Sequence, residues 1–282
     1  MEPLNREKYN QSIIRRVKGV IDDYYLLEDG DKIAVAISGG KDSVLTLHML
    51  HNFKDEYNIQ LVAITIDEGI TGYREEGLEI ARENAANLGI KLVEKSFKDE
   101  YGYMLDEIAG KYQSSCIPCG VFRRHLLNKT AHELDVKKVA TGHNLDDEIQ
   151  SFLMSFARAD FRRFSKFGPK LNQIHPKLIP RIKPLWKIPE KDVGTWAVLN
   201  ELPVHFAECP YSHQSLRAKI KSYLNNLEEN QPGTKMSILK SFEKTFKSQE
   251  TTAELIECDR CGEPSSLNIC KACEMLEEFK LF

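Results

Sequence analysis

The chain has 282 residues, of which 41% are hydrophobic and 29% are charged, and its net charge is -3. This length is enough for one large domain and a small module, and the composition is typical of a soluble globular protein. The slightly acidic balance excludes a uniformly basic nucleic-acid-binding protein, so any RNA surface would have to be local. The longest apolar runs are strand-sized and the N-terminus has no apolar signal core, which predicts a cytoplasmic protein without a membrane segment.

Short β-branched runs alternate with longer amphipathic stretches in the first three quarters of the chain. We predict an N-terminal helical segment over 1–30 and strands at 32–38, 59–67, 91–97, 137–142 and 203–208. Helices are predicted between the strands at 42–53, 73–88, 118–134 and 144–157. The alternation predicts a parallel sheet with helices on both faces, and such sheets bind ligands at the carboxyl edge of their strands.

The later part of the chain changes character. Residues 160–190 hold five prolines and little regular period, which predicts an irregular or mobile surface segment. Further helices are predicted at 189–201, 214–228 and 235–248. The organisation that follows is an α/β catalytic domain over 31–210, a helical extension over 211–250 and a small C-terminal cysteine module over 251–282.

The sequence "SGGKDS" lies where the first strand turns into a helix. Paired glycines let the backbone approach a ligand, and N–H groups at a helix start together with a lysine form an anion site. A plain turn with a capping residue is the alternative. The motif resembles the PP-loop of N-type ATP pyrophosphatases, which implies cleavage of ATP between its α and β phosphates. The predicted ATP-binding residues here are Ala36, Ser38, Gly39, Gly40, Lys41, Asp42 and Ser43.

Two further strand ends carry polar residues. Asp67 ends the second predicted strand, and Gly142, His143 and Asp147 follow the fourth. Helix capping would account for Asp147 alone. Because three strand ends converge on one edge, we predict instead that Asp67, Gly142 and Asp147 contribute to the nucleotide site. Carboxylate oxygens suit Mg²⁺ and its phosphate ligands, and Asp147 is the predicted magnesium ligand.

The last four cysteines have the spacing of a four-thiolate zinc site. They are Cys258, Cys261, Cys270 and Cys273, arranged as two C-x₂-C pairs. Zinc closed by four thiolates has no position left for a substrate, so the predicted role is structural. Redox chemistry of the thiols is the alternative.

Cys116, Cys119 and Cys209 form a second set, and an inert buried cysteine would be the ordinary explanation for Cys209 alone. Cys116 and Cys119 precede the helix that carries Arg123, and Cys209 follows the last predicted strand. Both positions lie near the predicted ligand edge of the sheet. Three thiolates suit a [4Fe–4S] cluster in which one iron lacks a protein ligand. An open iron can hold an exogenous sulfide, so we predict sulfur handling and not electron transfer. Arg123 lies one helical turn after Cys119 and can face the same pocket.

Nearly the whole chain from about Lys32 resembles the tRNA 2-thiolation enzymes of the TtcA/TtuA type. The matching segments are "SGGKDS", "CIPCGVFRRHLLNKTA", "ATGHNLDDEIQSFLMSF", "HFAECPYS", "RAKIKSYLNNLEENQPGTK" and the cysteine tail. "ECPYS", "PGTK" and the tail point to the archaeal and eukaryotic cytoplasmic 2-thiouridine branch. Many members of that branch begin with another zinc module, whereas here no cysteine precedes Cys116. That difference makes arguments that place tRNA by the N-terminal module unsafe.

The resemblance implies an ATP-dependent tRNA sulfurtransferase. AMP would be attached to the C2 oxygen of a uridine, and sulfur from the cluster would then replace it. Lys41 and the "SGG" amides would hold the phosphates, Mg²⁺ and basic residues would balance charge as pyrophosphate leaves, and Arg123 would steady the adenylate. The partners implied are tRNA and a sulfur donor, which could be sulfide, a persulfide or a ubiquitin-like thiocarboxylate carrier. The resemblance does not decide whether the protein forms a homodimer or which uridine of the tRNA is modified.

Residues 158–191 concentrate positive charge, with only Asp160 and Glu190 opposing it. The basic residues are Arg158, Arg162, Arg163, Lys166, Lys170, Lys177, Arg181, Lys183, Lys187 and Lys191, and Phe161, Phe164, Phe167 and Trp186 are interleaved. Phosphate contacts and base stacking would use this composition, so we predict RNA binding here. A solvated surface loop is the alternative.

Two other functions compete with tRNA thiolation. One is another PP-loop enzyme, such as an amidotransferase or a lysidine-type ligase, whose cysteines are purely structural. The other is a non-catalytic tRNA-binding zinc protein with a vestigial nucleotide fold, against which the intact "SGGKDS" weighs.

Overall fold

A parallel sheet of five strands forms the centre of the molecule in a computed structural model, which describes residues 5–160, 167–212, 216–245 and 254–280. In chain order the strands are β1 (Lys32–Ala36), β2 (Gln60–Asp67), β3 (Leu92–Ser96), β4 (Lys138–Ala140) and β5 (Arg181–Ile182). Across the sheet they are arranged β3-β2-β1-β4-β5, and every pair is parallel. The predicted parallel sheet is therefore confirmed.

Helices α1 to α11 follow the strands, and most lie within a few residues of the predicted ones. They are α1 (Arg6–Asp23), α2 (Lys41–Phe53), α3 (Arg74–Asn87), α4 (Phe97–Tyr101), α5 (Leu105–Ile108), α6 (Cys116–Glu133), α7 (Leu145–Ala157), α8 (Glu190–Leu199), α9 (Leu216–Asn230), α10 (Thr234–Thr245) and α11 (Lys271–Lys280), with a 3₁₀ turn at Ala109–Lys111. Helix α6 begins at Cys116, so the first cysteine pair lies in its first turn and not before it. In the part of the chain that the structure describes, no helix is long and apolar enough to cross a membrane.

Helices cover both faces of the sheet because its strands are apolar on both sides. On one face Ile33 and Val35 pack in a core with α1, α2, α7 and α8. On the other face Ala34, Ile64 and Val139 pack in a second core with α4, α5 and α6. Alternate strand residues thus enter opposite cores, as the pleat of a strand requires.

The predicted strand at 203–208 is wrong. That segment makes a single bridge, Gly40 to His205, where the His205 N–H donates to the Gly39 carbonyl at 2.8 Å. It runs beside the turn that follows β1, and because the chain there leaves the sheet for α2, no ladder can continue. The fifth strand is β5 instead, which lies in the segment predicted to be irregular and pairs with β4 through two residues.

The cysteine tail is packed against the catalytic domain. Strands β6 (Ile256–Glu257) and β7 (Pro264–Ser265) form a small antiparallel hairpin before α11. Met275 and Phe279 of α11 are buried in the same core as Phe122 of α6. The tail and the helix that carries Cys116 and Cys119 therefore share apolar contacts.

Candidate active site

The turn from β1 into α2 is built by its glycines and by Ser43. Gly39 has φ of +85°, and a Cβ there would lie 2.3 Å from the Gly77 carbonyl oxygen of α3, so only glycine fits. The Ser43 hydroxyl accepts the Ser38 N–H at 3.0 Å and donates to the Gly40 carbonyl at 2.9 Å. The turn is thus braced from inside and leaves its outer surface to a ligand.

The end of β4 packs directly on the start of α2. A Cβ on Gly142 would lie 2.7 Å from the Asp42 carbonyl carbon, which explains the glycine at this position. The Asn144 side chain donates to the Asp42 carboxylate at 2.7 Å. These contacts bring two of the predicted strand ends together.

A cavity of about 350 Å³ lies between α6 and the carboxyl edge of the sheet. We call it the strand-end cavity. Its apolar lining includes Ile64, Ile66 and Leu127, which would suit a planar base. Of the residues predicted to bind ATP, those that line it are Ala36, Ser38, Asp42, Ser43, Gly142 and Asp147.

A second cavity, of about 440 Å³, adjoins the first. We call it the cysteine cavity because Cys119 and Cys209 line it together with Gly40 and Lys41. Cys116 lies at the surface nearby, with its Sγ 3.9 Å from the Tyr211 carbonyl oxygen. The two cavities share a wall made by Ser38, Asp42, Glu68, Arg74 and Arg123. The glycine turn therefore faces the cysteines across one space.

The thiols of this cavity do not ionise readily by themselves. Burial raises the pKa of Cys119 to about 12, although the Arg123 guanidinium opposes the shift. Burial also raises the pKa of Cys209. A free nucleophilic cysteine would need a lowered pKa. A metal that displaces the thiol proton fits these environments better than a pre-formed thiolate nucleophile.

Arg123 stands on the shared wall, as its spacing from Cys119 predicts. Its guanidinium lies 3.3 Å from the Glu68 carboxylate. Burial lowers its pKa, but Cys119 and Glu68 outweigh burial and raise the pKa overall, so it stays a cation. A fixed cation between a nucleotide pocket and a sulfur-bearing pocket can stabilise negative charge that develops between them.

Lys41 lies in the cysteine cavity beside the turn. Its ammonium contacts Asp42 at 2.8 Å and Glu190 at 3.0 Å. Burial lowers the Lys41 pKa, but these two carboxylates raise it overall. Lys221 of α9 contacts the same Glu190 oxygen at 3.0 Å. Glu190 can therefore release Lys41 to a phosphate without becoming an unpaired charge.

Asp147 is both a helix cap and a wall of the strand-end cavity. Its carboxylate accepts the Asn144 N–H at 3.2 Å, and Arg217 of α9 lies 3.3 Å from its other oxygen. Burial raises the Asp147 pKa to about 6, Arg217 opposes the rise and Asp42 adds to it. A divalent cation bound by the Asp147 carboxylate would offset the repulsion that Asp42 exerts on it.

Asp67 lines neither cavity. Its carboxylate accepts the Gly69 N–H at 2.8 Å and so stabilises the turn after β2. The next residue, Glu68, takes the place predicted for Asp67, because one step along the chain turns the side chain to the other side. A carboxylate pair at a strand end predicts a site residue but does not decide which of the two enters it.

Sequence reasoning missed several residues that hold this site together. Arg74 is buried and donates to the Ser38 carbonyl at 2.6 Å and to Thr65 at 2.7 Å, which ties the glycine turn to β2. Glu190, Arg217 and Lys221 come from helices far along the chain. The only signal for the last two was their place inside "RAKIKSYLNNLEENQPGTK".

The four tail cysteines fit one metal ion. Their sulfur atoms all lie within 4.8 Å of one another, and Cys261 and Cys270 are 3.6 Å apart. Sulfur ligands about 2.3 Å from a tetrahedral zinc would be close to this spacing. Burial raises the Cys258 pKa, but backbone N–H groups of Cys270 and Cys261 outweigh it and lower the pKa to about 6. Burial raises the pKa of Cys261 to about 11 and also raises that of Cys273, so of these three cysteines only Cys258 favours the thiolate before a metal binds.

Four of the seven described basic residues in the segment 158–191 form ion pairs within the chain. Lys170 and Lys177 pair with Glu28 and Glu257, and buried Lys183 pairs with Glu148 at 2.8 Å. Lys187 pairs with Asp23. Arg181 lines the strand-end cavity. Phe161, Arg162, Arg163, Phe164 and Lys166 lie outside the described residues.

Comparison with known proteins gives concordant matches. A family model described as a PP-loop domain matches residues 9–227. The tRNA 2-thiolation protein NcsA of Haloferax volcanii is 38% identical, over 87% of this chain and 82% of that protein. The cytoplasmic tRNA 2-thiolation protein 1 of Saccharomyces cerevisiae is 37% identical, over 89% of this chain and 74% of that protein.

One solved structure is similar over almost the whole chain. It is described as the U34-tRNA thiolase NcsA from Methanococcus maripaludis with its [4Fe-4S] cluster. The two structures superpose with a TM-score of 0.84 at 35% identity, covering 97% of this chain and 89% of that one.

Proposed function

The chain belongs to the PP-loop family and, within it, to the tRNA 2-thiolation proteins, and from this premise we propose that it is an ATP-dependent tRNA sulfurtransferase that forms 2-thiouridine. The observation that carries the proposal is the shared wall between the two cavities. Nucleotide-binding groups and two of the three cysteines line one space, with Lys41 and Arg123 between them. A nucleotide-activated base and a sulfur source would have to meet in such a place.

The proposed ligands of a [4Fe–4S] cluster are Cys116, Cys119 and Cys209. The fit rests on the chemistry of these donors. Cys119 and Cys209 are half-buried thiols at one cavity, and their raised pKa values disfavour a free thiolate. The related M. maripaludis protein carries such a cluster. When bound by three thiolates, a cluster supplies an iron with no protein ligand, where the sulfur to be transferred can be held.

The residues of the chain would prepare the base for this exchange. The N–H groups of the Ser38–Gly40 turn and the Lys41 ammonium bind the phosphates of ATP. The C2 oxygen of the uridine attacks the α-phosphate and pyrophosphate leaves, so that AMP becomes the leaving group at C2. Arg123, held by Glu68 on the shared wall, offsets the negative charge of the adenylate.

Two metal ions complete the proposal. Asp147, with Asp42 as its neighbour, would bind Mg²⁺ and balance the charge of the leaving pyrophosphate. Zinc in the tail would be structural, because four thiolates close its coordination. We retain the division into a catalytic domain over 31–210, a helical extension over 211–250 and a metal module over 251–282, with the N-terminal helix before them.

The proposed macromolecular substrate is tRNA, and the proposed location is the cytoplasm, which the name of the yeast relative gives for that protein. The M. maripaludis relative is described as acting on U34, so U34 is the first position to examine here. The sulfur donor would be sulfide, a persulfide or a thiocarboxylate carrier, and a homodimer is compatible with the proposal.

Reconstitution under anaerobic conditions tests the function. Wild-type protein loaded with iron and sulfide is incubated with unmodified tRNA, MgATP and sulfide, and the tRNA is digested for mass spectrometry. We expect 2-thiouridine and AMP in equal amounts. AMP formation without thiolation, in a protein that never binds iron, would favour a PP-loop ligase with structural cysteines instead.

A further inference from the structure

An unusual charge faces the second core of the sheet. In β5, Arg181 is paired with Val139 of β4, and paired residues of neighbouring strands point to the same face. Val139 is buried beneath α6, while Ile182 enters the core on the other face. Arg181 therefore occupies a position where the sheet otherwise carries apolar side chains, and it points into the space under α6.

That space is the strand-end cavity, which is also lined by Arg74 of the shared wall and by two guanidinium groups of α6. Arg181 rises from the sheet, whereas Arg123 and Arg124 descend from α6, and all three line the cavity. Arg123 is balanced by Glu68. Among the residues that the structure describes, no carboxylate or carbonyl oxygen accepts a hydrogen bond from the Arg181 guanidinium.

Electrostatics agree with an excess of positive charge at this end of the cavity. Burial first, and then the neighbouring Arg124 and Arg123, together lower the Arg181 pKa to about 10. Partial desolvation lowers the pKa of nearby His143 to about 3, with Lys183 and Arg181 contributing. A half-buried cation among like charges is unfavourable unless an anion offsets it.

The position of Arg181 separates it from the nucleotide turn. The turn follows β1, and β5 lies two strands away, which is about 10 Å at the spacing of neighbouring strands. A nucleotide held at the turn, with its base against Ile64 and Ile66, would lie over β1 and β2. The β5 side of the cavity, beyond the Gly142 and Asp147 that follow β4, would then be left for another ligand.

We propose that Arg181, together with Arg124, binds a backbone phosphate of the RNA substrate next to the target nucleotide. Guanidinium groups match the geometry of phosphate oxygens, and a phosphodiester would offset the charge of Arg181, for which the described residues supply no acceptor. This inference rests on the proposed function. It also singles out one cavity-facing residue of the basic segment, in which Lys170, Lys177, Lys183 and Lys187 are engaged in ion pairs.

The test compares Arg181→Gln and Arg124→Gln with a matched control, Arg82→Gln, whose guanidinium pairs with Glu94 at the surface at 2.6 Å. Affinity for an unmodified tRNA transcript is measured from low to moderate salt, and affinity for ATP is measured in parallel. We expect Arg181→Gln to weaken tRNA binding about tenfold to a hundredfold. The salt dependence should become shallower: the magnitude of the slope of log affinity against log salt concentration should decrease by about 0.7–0.9.

ATP affinity should not change in either cavity variant, and Arg82→Gln should resemble the wild type in both measurements. Thermal unfolding should show no loss of stability in Arg181→Gln, because it removes a repelled charge. Arg181→Lys should keep the salt slope, since a lysine still neutralises one phosphate.

Three outcomes would overturn the inference. An unchanged tRNA affinity and salt slope in Arg181→Gln would remove the RNA contact and leave the proposed function intact. A fall in ATP affinity with an unchanged tRNA slope would assign the phosphate to the nucleotide. A wild-type protein that binds ATP but no tRNA would contradict the proposed function itself.

Discussion

The two cysteine sets differ in what surrounds them. In the tail, Cys258, Cys270 and Cys273 are buried, and the four sulfur atoms cluster tightly enough for a single ion. At the cysteine cavity, Cys119 and Cys209 border an open space and Cys116 is exposed. The tail cysteines are packed into a core, whereas the cavity has room for a substrate.

This difference teaches how one fold separates stability from chemistry. The tail contributes buried apolar area and a thiolate that its own backbone stabilises. The two cavities instead gather ionisable groups around an open space, where burial raises the pKa values of Cys119 and Asp147 and lowers that of Arg181. Groups that cost stability are expected where a ligand is to be bound, and groups that supply it are expected elsewhere.

The largest expected effect comes from replacing a cysteine of the set at the cysteine cavity. Cys209→Ser should abolish thiolation and lose iron, and Cys116→Ser and Cys119→Ser should do the same, because the three would hold one cluster. Iron and sulfide are measured on anaerobically reconstituted proteins, with tail zinc as the internal control. A Cys209→Ser protein that keeps a full, stable cluster would contradict the three-ligand assignment.

The next effect separates the nucleotide from both cysteine sets. Lys41→Ala should abolish AMP release, because it removes the cation beside the glycine turn, while iron and zinc contents stay at wild-type levels. The measurement is tRNA-dependent AMP formation by chromatography. Lys240→Ala, at an exposed position of α10, serves as the control. Normal AMP release by Lys41→Ala would exclude Lys41 from the phosphate site.

Replacing a cysteine of the tail should affect folding more directly than it affects tRNA thiolation. Cys258→Ser should lose zinc and unfold the tail, because a structural metal contributes its binding free energy to folding. Metal analysis and proteolysis of the tail report the two effects. Zinc retained at the wild-type level would show that four thiolates are not required.

The shared core of the tail can be tested without touching a ligand. Phe279 is buried against Phe122 of α6, so Phe279→Ala should lower the free energy of unfolding by about 3–5 kcal/mol. Leu267→Ala, at an exposed position of the same module, should change it little. Urea unfolding of both variants makes the comparison, and equal stabilities would mean that the tail does not support α6.

The smallest expected effect concerns how ionisation of Asp147 in the strand-end cavity changes the free energy of unfolding. The Asp147 pKa is raised from its ordinary 3.8 to about 6, so ionising this carboxyl disfavours the folded state. The stability of the wild type relative to Asp147→Asn should therefore fall as pH rises through this interval and level off above it. The difference should be modest because a third of the side chain is exposed. Urea unfolding in Mg²⁺-free buffers at several pH values measures it, and a difference independent of pH would contradict the raised pKa.

The sequence by itself determined the parallel sheet, most helices and the grouping of the four tail cysteines. These rest on local signals: periodicity that follows the backbone, glycines that only one turn can use, and the spacing of ligand pairs. "SGGKDS" and the tail cysteines lie where these signals place them.

The tertiary structure decided what no local signal could carry. Glu68, and not Asp67, lies on the shared wall, and β5 is the edge strand in place of residues 203–208. The tertiary structure also brought Glu190 and Lys221 to Lys41 from distant helices. The reason is that side-chain direction at a strand end and ion pairing between remote segments depend on how the elements pack. A residue's neighbours along the chain do not record that packing.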